Sequence, residues 1–434
     1  MTQVDSSQAI SDTTFEQLGL IPELLKRLTL LEYLNPTLVQ GKTIPAVLSG
    51  RDLLAGAITG SGKTAAFALP MLQKLAKSSA KVSKGNQVSG LVLVPTRELA
   101  QQVAESFKSY GQLIKPRLKI EAVFGGVSAN TQMLAMRGGA DVLVATPGRL
   151  LDLISSNAIK LDDVKTLVLD EADRMLSLGF TEELNQVLSL LPKHKQTLLF
   201  SATFPEEVKT LTDRLLSTPV EIQLQSEEKT TLKQQVYTVN RNRKTALLAH
   251  LIKENDWRQV LVFASAKNTC NRLEQKLAKA GIAAQIFHSD KSQGARTKVL
   301  EAFKNGEIHV LIATDIAARG IDIEKLPVVI NYELPRSPVD YMHRIGRSGR
   351  AGEAGLALSL ISHDEYQHFK LIEKKNKISL EREQVEGFEA DDEAPLDCPS
   401  REIKSMAAPE GMGKKKRKKL PKANTEFWTK NSPS

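Results

Sequence analysis

The sequence contains little cysteine and no long apolar run. Cys270 and Cys398 are the only cysteines among its 434 residues. Two thiols cannot build a disulfide framework or a cysteine-rich metal site, so we expect both to be reduced. No segment approaches the ~18 apolar residues that a membrane-spanning helix requires, and the polar N-terminus has no signal pattern. These absences favour a cytoplasmic globular protein with no membrane partner.

The excess of basic over acidic residues is concentrated at the end of the chain, whereas the rest of the chain is nearly balanced in charge. The formal net charge is +9, and the segment from Gly411 to Ser434, with eight Lys or Arg and one Glu, contributes +7 of it. A pI near 9.3 therefore does not indicate a basic folded surface. We predict a disordered tail over residues 376–434. Its basic cluster, Lys414–Lys419, suits an RNA tether and equally a tail that only keeps the protein in solution.

Short apolar segments of strand length are separated by longer amphipathic segments in both halves of the chain. The predicted strands are Asp52–Ala55, Gly90–Val94, Ile120–Val123, Asp141–Ala145, Thr166–Leu169, Thr197–Phe200, Gln259–Phe263, Ala284–Phe287, His309–Ala313, Val328–Asn331 and Leu356–Leu360. Helices are predicted between most of them, for instance at Lys63–Lys77 and Asn268–Ala280. Continuous apolar strands separated by helices are typical of parallel sheets covered on both faces. The sequence therefore predicts two α/β domains in tandem.

The same alternation predicts the domain boundaries. We predict a short N-terminal segment (1–12), a first domain (13–220), a linker (221–233), a second domain (234–375) and the tail (376–434). The linker is placed where the sequence EIQLQSEEKTTLK loses periodicity and gains charge. The polar segment Ser78–Ser89 is predicted to be a mobile surface loop.

A glycine-rich segment follows the first predicted strand and opens a helix. Its positions are Thr59, Gly60, Ser61, Gly62, Lys63 and Thr64. Glycines there let backbone N–H groups turn toward phosphate oxygens at a helix N-terminus. Lys63 is expected to reach the β- and γ-phosphates and Thr64 to ligate Mg²⁺. The alternative is a glycine-rich helix entry with an incidental lysine.

Two carboxylates, Asp170 and Glu171, end a later apolar strand. Asp170 can hold the hydration shell of Mg²⁺, and Glu171 can position and deprotonate the attacking water. An acidic cluster at a strand end is otherwise explained as solvated turn residues. A phosphate loop at the same sheet edge makes that alternative weaker.

The tetrapeptide Asp170–Asp173 reads DEAD, and from Phe15 to Leu371 the chain resembles the DEAD-box RNA helicases. The run from Lys291 to Asp322 is most similar to the bacterial RhlE-like branch. The resemblance implies two tandem RecA-like (P-loop) domains, ATP and Mg²⁺ as cofactors, and RNA as partner. Candidate further partners are ribosomal precursors and the RNA-decay machinery.

The resemblance also implies roles in nucleotide binding and turnover. Gln40 matches the residue that reads the adenine edge, Phe15 the aromatic that stacks on the base, and Asp322 a ribose-contacting position. His343 and Arg347 belong to the segment HRIGRSGR, whose last residue is Arg350. Arg347 and Arg350 are expected to act as arginine fingers, and His343 is predicted to join them in catalysis. The alternative is a basic helix that simply meets RNA.

RNA-binding and coupling positions follow from the same resemblance. The RNA-facing positions are Pro95, Thr96, Arg97, Gly125, Gly126, Thr146, Pro147, Gly148, Arg149, Gln293, Arg296 and Thr314. These positions offer Thr hydroxyls, Gly N–H groups and Arg side chains, which bind phosphates and make no base-specific contacts. Ser201 and Thr203 match the motif that couples hydrolysis to strand separation, and Arg319 matches a domain-interface position.

These features predict an ATP-dependent RNA helicase that closes on a bent single strand and unwinds short duplexes locally, with little sequence specificity. Two alternatives remain open. The same fold can serve a DNA-directed helicase or translocase, which a comparison of ATPase stimulation by RNA and DNA would reveal. The protein can also be an RNA clamp or annealing chaperone that binds without useful unwinding.

Overall fold

The computed structural model describes residues 13–57, 61–78, 85–223, 232–318, 326–349 and 355–391. Within these ranges the chain forms two successive α/β domains, each built on one seven-stranded sheet of parallel strands. The prediction of two tandem RecA-like domains is confirmed. No helix in the described ranges is long and apolar enough to cross a membrane.

The first domain has the strand order β3-β4-β2-β5-β6-β1-β7. Its strands are β1 (Leu53–Gly56), β2 (Val88–Leu93), β3 (Ile120–Val123), β4 (Ala140–Ala145), β5 (Thr166–Leu169), β6 (Gln196–Ser201) and β7 (Val220–Gln223). Its helices are α1 (Pro22–Leu30), α2 (Leu38–Leu48), α3 (Lys63–Lys77), α4 (Arg97–Tyr110), α5 (Ala129–Ala135), α6 (Pro147–Ser155), α7 (Ala172–Ser177), α8 (Thr181–Ser189) and α9 (Glu206–Leu215). Two 3-10 turns are formed by Glu16–Leu18 and Gly111–Leu113.

The second domain has the strand order β10-β11-β9-β12-β13-β8-β14. Its strands are β8 (Leu232–Thr238), β9 (Val260–Phe263), β10 (Ala284–Phe287), β11 (Val310–Ala313), β12 (Val328–Asn331), β13 (Gly355–Ile361) and β14 (Arg382–Glu383). Its helices are α10 (Lys244–Glu254), α11 (Lys267–Lys279), α12 (Gln293–Lys304), α13 (Asp315–Ala318), α14 (Pro338–Ile345) and α15 (Tyr366–Asn376), with a 3-10 turn at His363–Glu365.

The central strands are buried along their whole length. All residues of β5, β9, β11 and β12 are buried. Because helices cover both faces of a parallel sheet, such strands carry apolar side chains on both faces. This is why continuous apolar segments predicted them correctly.

Helix α3 is fixed in the core of the first domain by Phe67. The Phe67 ring is fully buried, with its centroid 5.3 Å from that of Phe200 and 6.0 Å from that of Phe107. Truncating a core Phe to Ala typically costs about 3–5 kcal/mol. This packing holds the start of the helix, and with it Lys63, at the end of β1.

The predicted linker is wrong at both of its ends. Strand β7 pairs with β1, so residues 221–223 belong to the first sheet. Strand β8 pairs with β13 from Leu232 onward, so residues 232–233 belong to the second sheet. Both strands lie at or beside a sheet edge, where polar side chains are tolerated, and this polar composition concealed them. Similarly, the predicted loop Ser78–Ser89 ends early because β2 begins at Val88, and residues 79–84 lie outside the described residues.

The predicted tail is also wrong over residues 376–391, which belong to the second domain. Strand β14 pairs with β8, and the Arg382 guanidinium forms an ion pair with Glu373 at 2.5 Å. Ile378 and Phe388 pack against the apolar clusters of this domain. Short, charged segments of this kind give no periodic signal. Residues 392–434, which include Lys414–Lys419, lie outside the described residues, as do residues 1–12.

Candidate nucleotide and RNA site

The loops at the carboxyl edge of the first sheet fall into two groups. Strands β5 and β1 lead into predicted nucleotide residues, and β6, which lies between them in the sheet, leads into the predicted coupling residues. Strands β3, β4 and β2 lead into the predicted RNA residues. In parallel sheets ligands bind at this edge because all strand ends and helix N-termini meet there. The strand order therefore separates two neighbouring sites along one edge.

The described end of the phosphate loop is connected to the start of α2. Gly62 has φ +88°, and a Cβ there would lie 2.4 Å from Gln40 Nε2, so only glycine fits. Gln40 Nε2 donates to Gly62 O at 3.2 Å, and Gln40 Oε1 accepts from Thr37 N at 2.9 Å. Thr37 Oγ1 in turn donates to Ser61 O at 2.8 Å. The side chain predicted to read adenine thus also caps α2 and supports the loop.

Lys63 and Asp170 form the buried charged floor of the site. Lys63 Nζ lies 3.8 Å from Asp170 Oδ1, and the side chains are 6% and 4% exposed. Among the described residues, Nζ has no hydrogen-bond partner. A buried ammonium without hydrogen bonds is costly, so this atom suits an anionic ligand such as a phosphate oxygen. Burial raises the pKa of Asp170 to about 6, although the Lys63 charge opposes it.

Glu171 precedes α7 in an unusual backbone conformation. Its φ and ψ are 54° and 52°, the left-handed region that glycine normally occupies. Its Oε2 accepts a hydrogen bond from Arg174 Nη1 at 2.7 Å. Burial acts to raise the pKa of Glu171, but the charges of Arg174, Lys63 and Arg347 outweigh it and lower the pKa to about 2. Glu171 is therefore held as an ionised carboxylate, which can accept a hydrogen bond from a water molecule and orient it.

Asp173 connects the DEAD segment to the end of β6. Thr203 donates to Asp173 Oδ2 from its backbone N at 2.9 Å and from Oγ1 at 2.7 Å. Ser201 Oγ donates to Thr203 O at 2.6 Å. The predicted coupling residues Ser201 and Thr203 are therefore bonded directly to the acidic segment.

The predicted RNA positions of the first domain lie on the loops after β2, β3 and β4. Thr96 and Thr146 begin α4 and α6. A Cβ at Gly126 would lie 1.9 Å from Arg97 Nη1, so the arginine packs directly on this glycine. Arg149 Nη1 donates to Val127 O at 3.1 Å, which fixes its orientation. The other predicted positions on these loops are Pro95, Gly125, Pro147 and Gly148.

Gln293 and Arg296 contact the first domain. Arg296 Nη2 lies 2.8 Å from Glu98 Oε1 of α4, and Arg296 is 5% exposed. Gln293 Nε2 donates to Glu98 Oε1 and to Gln101 Oε1, both at 3.2 Å. The structure thus brings these side chains into the domain interface, where the Glu98 carboxylate attracts them. Their role in holding RNA stays a prediction, as does that of Thr314, which is buried at the end of β11.

Helix α14 and the residues that follow it border the candidate nucleotide site from the side of the second domain. His343 and Arg174 line one small cavity between the domains. Burial and the Arg174 charge lower the pKa of His343, against the Asp173 and Glu171 charges. Arg347, which is 6% exposed, acts on the Glu171 carboxylate from the same side. The structure therefore brings the predicted residues of both domains together across one gap.

Arg344 holds α14 in this position. Its Nε and Nη2 lie 2.6 Å and 2.7 Å from the two carboxylate oxygens of Asp315, in a bidentate pair. Its Nη1 donates to Asn331 Oδ1 at 3.0 Å, and the guanidinium lies 4.8 Å from the centre of the Phe263 ring. Arg344 is 2% exposed, so these contacts are made in the interior of the protein.

Some predicted site residues are buried in the core or lie outside the residues that the structure describes. Phe15 is 5% exposed and belongs to the apolar core of the first domain, so its stacking on adenine stays a prediction. The predicted residues outside the described ranges are Thr59, Gly60, Arg319, Asp322 and Arg350.

Three charged residues of the site, Arg174, Glu98 and Arg344, were not predicted from the sequence, although all lie within or beside the motifs that were. Arg174 is three residues after Glu171, a spacing that brings two helical side chains together. That spacing was the available signal for Arg174. Glu98 and Arg344 gave none, because their partners are distant in the chain.

Two family models match the chain, one in each domain. Residues 37–211 match the DEAD/DEAH box helicase family, and residues 243–352 match the helicase conserved C-terminal domain. The chain is 38% identical over 367 residues to the ATP-dependent RNA helicase CshA of Listeria monocytogenes, an alignment covering 84% of this chain and 69% of that protein. It is 39% identical over 381 residues to the ATP-dependent RNA helicase DeaD of Mycobacterium tuberculosis, covering 87% and 66%.

Solved structures of the yeast protein Dbp5 share the fold. S. cerevisiae Dbp5 bound to RNA and ADP BeF3 has a TM-score of 0.75 and 32% identity, covering 86% of this chain and 95% of that chain. A Dbp5 variant bound to Nup159, a Gle1 variant, IP6 and ADP has a TM-score of 0.57 and 30% identity, covering 85% and 96%.

The fold and the charged gap between its domains define a two-domain nucleotide-hydrolysing enzyme. The chain belongs to the DEAD-box helicase family. Like the other members, it is an ATP-dependent RNA helicase that binds ATP and RNA and hydrolyses ATP.

Proposed function

We propose that the protein unwinds short RNA duplexes locally and non-processively, and that each event is driven by closure of the two domains around ATP. One observation carries the proposal. Arg174, which is paired with Glu171 in the first domain, lines one small gap together with Arg347 of the second domain, and the Arg347 charge acts on Glu171. Because this site is complete only when the domains are closed, hydrolysis is tied to closure. The higher TM-score with RNA- and ADP BeF3-bound Dbp5 supports the same reading.

Each side chain of the site has a separate role in the proposed hydrolysis of ATP. Lys63 binds the β- and γ-phosphates with the buried Nζ that lacks a hydrogen-bond partner among the described residues. Glu171 orients the attacking water, and Arg347 stabilises the charge that develops on the transferred phosphoryl group. Thr59, Gly60, Asp322 and Arg350 complete the site in this proposal.

Thr64 and Asp170 are the residues that would hold Mg²⁺. They offer the hard oxygen atoms that this ion prefers, and the buried Asp170 carboxylate lies against a second carboxylate, Glu171, an arrangement that favours a cation. The described residues contain no group of three or more His, Cys, Asp or Glu that could hold a metal without help. Phosphate oxygens would complete the coordination. When bound, the ion would neutralise charge on the β- and γ-phosphates.

The energetic argument limits the length of duplex that closure can open. Expelling about five base pairs costs roughly 7 kcal/mol, at the DNA value of ~1.4 kcal/mol per stacking step. One closure event can supply energy of this order once, so long duplexes are not unwound processively. The loops after β2, β3 and β4 offer hydroxyls, glycine N–H groups and arginines that contact phosphates, which favours little sequence specificity.

The test compares ATP turnover and strand displacement with matched substrates. We expect RNA to stimulate the ATPase much more than DNA of the same sequence. We expect displacement from duplexes of about 10 base pairs and little from duplexes of about 30, because each closure opens only a few pairs. Lys63→Ala should abolish turnover, whereas Lys77→Ala, at the exposed end of the same helix, should not. Processive unwinding of the longer duplex would contradict the proposal.

Glu171→Gln separates this proposal from an RNA clamp. The variant should bind ATP and RNA normally while its kcat falls by about 10²–10⁴, because the orienting charge is lost. If cells that depend on the protein grow normally with Glu171→Gln, the protein acts as a clamp and turnover is not its function.

The finer assignments belong to the same proposal. We place the protein in the cytoplasm, on ribosomal precursors or with the RNA-decay machinery, and within the RhlE-like branch of the family. The bacterial relatives described above support an RNA substrate and carry the names CshA and DeaD. Sequencing of RNA crosslinked to the protein in cells tests the substrate: enrichment of neither ribosomal precursors nor decaying messengers would contradict it.

A further inference from the structure

Arg174 occupies a position at the domain boundary that none of the roles above uses. Its guanidinium belongs to the first domain, is 4% exposed and lies 2.7 Å from Glu171 Oε2. It lines a small cavity between the domains together with Asp315, Asp340 and His343 of the second domain. One arginine thus contacts the proposed water-orienting carboxylate and lines the same cavity as the proposed arginine finger, Arg347.

Stability alone does not account for this contact. A buried arginine–carboxylate pair contributes little net stability, because the desolvation of two charges offsets their attraction. The direction of the Glu171 side chain, in contrast, needs a partner. Glu171 stands in the left-handed backbone region before α7 begins, so the helix does not fix its side chain. Backbone strain at such positions persists where the surrounding structure holds the residue in place.

We propose that Arg174 is a positioning residue for ATP hydrolysis, which fixes the Glu171 carboxylate in the orientation that holds the attacking water. This inference rests on the proposed role of Glu171. In the structure Arg174 makes this contact while it lines the cavity between the two domains, so the Glu171 orientation is compatible with the second domain packed over the site. A misplacement of about 1 Å at a reacting group can cost a factor of about 10² in rate.

The experiment measures RNA-stimulated ATP turnover for Arg174→Ala and Arg174→Lys. For Arg174→Ala we expect kcat to fall by about 10–100-fold, while the KM for ATP and the half-saturating RNA concentration stay within about twofold. Arg174→Lys keeps the positive charge but lacks the planar guanidinium group with its paired donors. Its kcat should therefore lie between those of Arg174→Ala and the unmodified protein. Arg382→Gln is the matched control, since it removes the arginine from another arginine–glutamate pair, in the second domain. Its kcat should be unchanged.

Three outcomes would overturn the inference: a kcat for Arg174→Ala within about twofold of the unmodified protein, a raised KM for ATP with normal kcat, or an equal loss in Arg382→Gln. If Arg174→Ala does not fold, Arg174→Lys is the test. A lowered kcat with an unchanged KM for ATP would support the inference, and an unchanged kcat would contradict it. An unmodified protein without RNA-stimulated ATPase would refute the proposed function itself. An active protein that is inactivated by Glu171→Gln but not by Arg174→Ala would refute the Arg174 inference alone.

Discussion

Glu98 of the first domain and Arg296 of the second form an ion pair that joins the two domains beside the predicted RNA positions. Oε1 and Nη2 are 2.8 Å apart, and the side chains are 9% and 5% exposed. The Arg296 guanidinium also lies over the Phe287 ring, 4.6 Å from its centre, and this contact helps to hold the arginine in place. The pair exists only while α4 and α12 are in contact. Losing one partner of the pair therefore penalises the closed arrangement and neither separate domain.

Glu98→Gln should weaken RNA binding in the presence of ATP. Removing one partner leaves the Arg296 charge buried without compensation in the closed state, at a cost of about 3–5 kcal/mol. We expect the half-saturating RNA concentration in the ATPase assay to rise at least tenfold, or about 1.4 kcal/mol. The melting temperature without ligands should not change. Asp364→Asn, which breaks the exposed pair with Arg241, is the control, and equal effects of the two variants would disprove the interpretation.

Gly62→Ala should impair ATP binding through the Gln40 side chain. A Cβ at Gly62 would lie 2.4 Å from Gln40 Nε2, so the carboxamide must move. Gly50→Ala is a matched control, because Gly50 has φ +84° and open space around its Cβ position. Both variants carry the left-handed backbone penalty of ~1–2 kcal/mol. A fluorescent ATP analogue should bind at least tenfold more weakly to Gly62→Ala alone; equal affinities would contradict the role of the Gln40 contact.

Thr203→Ala should uncouple hydrolysis from unwinding. The Thr203 hydroxyl donates to Asp173 Oδ2 at 2.7 Å and is one of two links from this residue to the DEAD segment. We expect ATPase activity within a few-fold of normal and strand displacement reduced at least tenfold, because the loop after β6 loses its connection to the site. Thr210→Ala, on the exposed face of α9, is the control. A parallel loss of both activities would show that Thr203 serves catalysis instead.

Glu373 should make the second domain less stable in acid. Burial acts to raise its pKa, but hydrogen bonds from Arg382 and the Leu380 backbone outweigh it and hold the pKa below the ordinary 4.5. A carboxylate with a depressed folded-state pKa contributes stability above its unfolded pKa and loses it as the pH falls through the folded value. The difference in unfolding free energy between the unmodified protein and Glu373→Gln should thus be largest above pH 4.5 and shrink below it. Glu381→Gln, at an exposed residue, should show no such trend; a pH-independent difference for Glu373→Gln would refute the prediction.

The local motifs were sufficient to predict that most of the candidate nucleotide residues lie at one edge of the first sheet. Lys63, Asp170 and Glu171 each follow a strand, and parallel strands bring their carboxyl ends to one edge. Their convergence therefore followed from the order of strands and helices. The interface was harder to predict. Arg296 carries a charge that suits RNA phosphates and Glu98 equally well, and its sequence neighbourhood does not distinguish the two partners.

The weakest predictions concerned segments whose signal is short or polar. Strands β7 and β14 expose much of their surface, so their residues lack the apolar run that identified β5 or β12. Arg382 and Phe388 join the second domain through contacts with Glu373 and Arg243. Such contacts leave no periodic pattern, and the domain was therefore predicted to end too early.

The sequence by itself determined the two parallel α/β domains and the chemistry of the loops at their edges. Apolar periodicity, glycine positions and strand-end carboxylates act over a few neighbouring residues, and their consequences can be read locally. Only the tertiary structure decided which charges meet: Arg296 with Glu98, Arg344 with Asp315, and Arg347 near Glu171. Each of these pairs joins residues far apart in the chain. Their energies depend on burial and on distances that arise only when the sheets are formed and the two domains close.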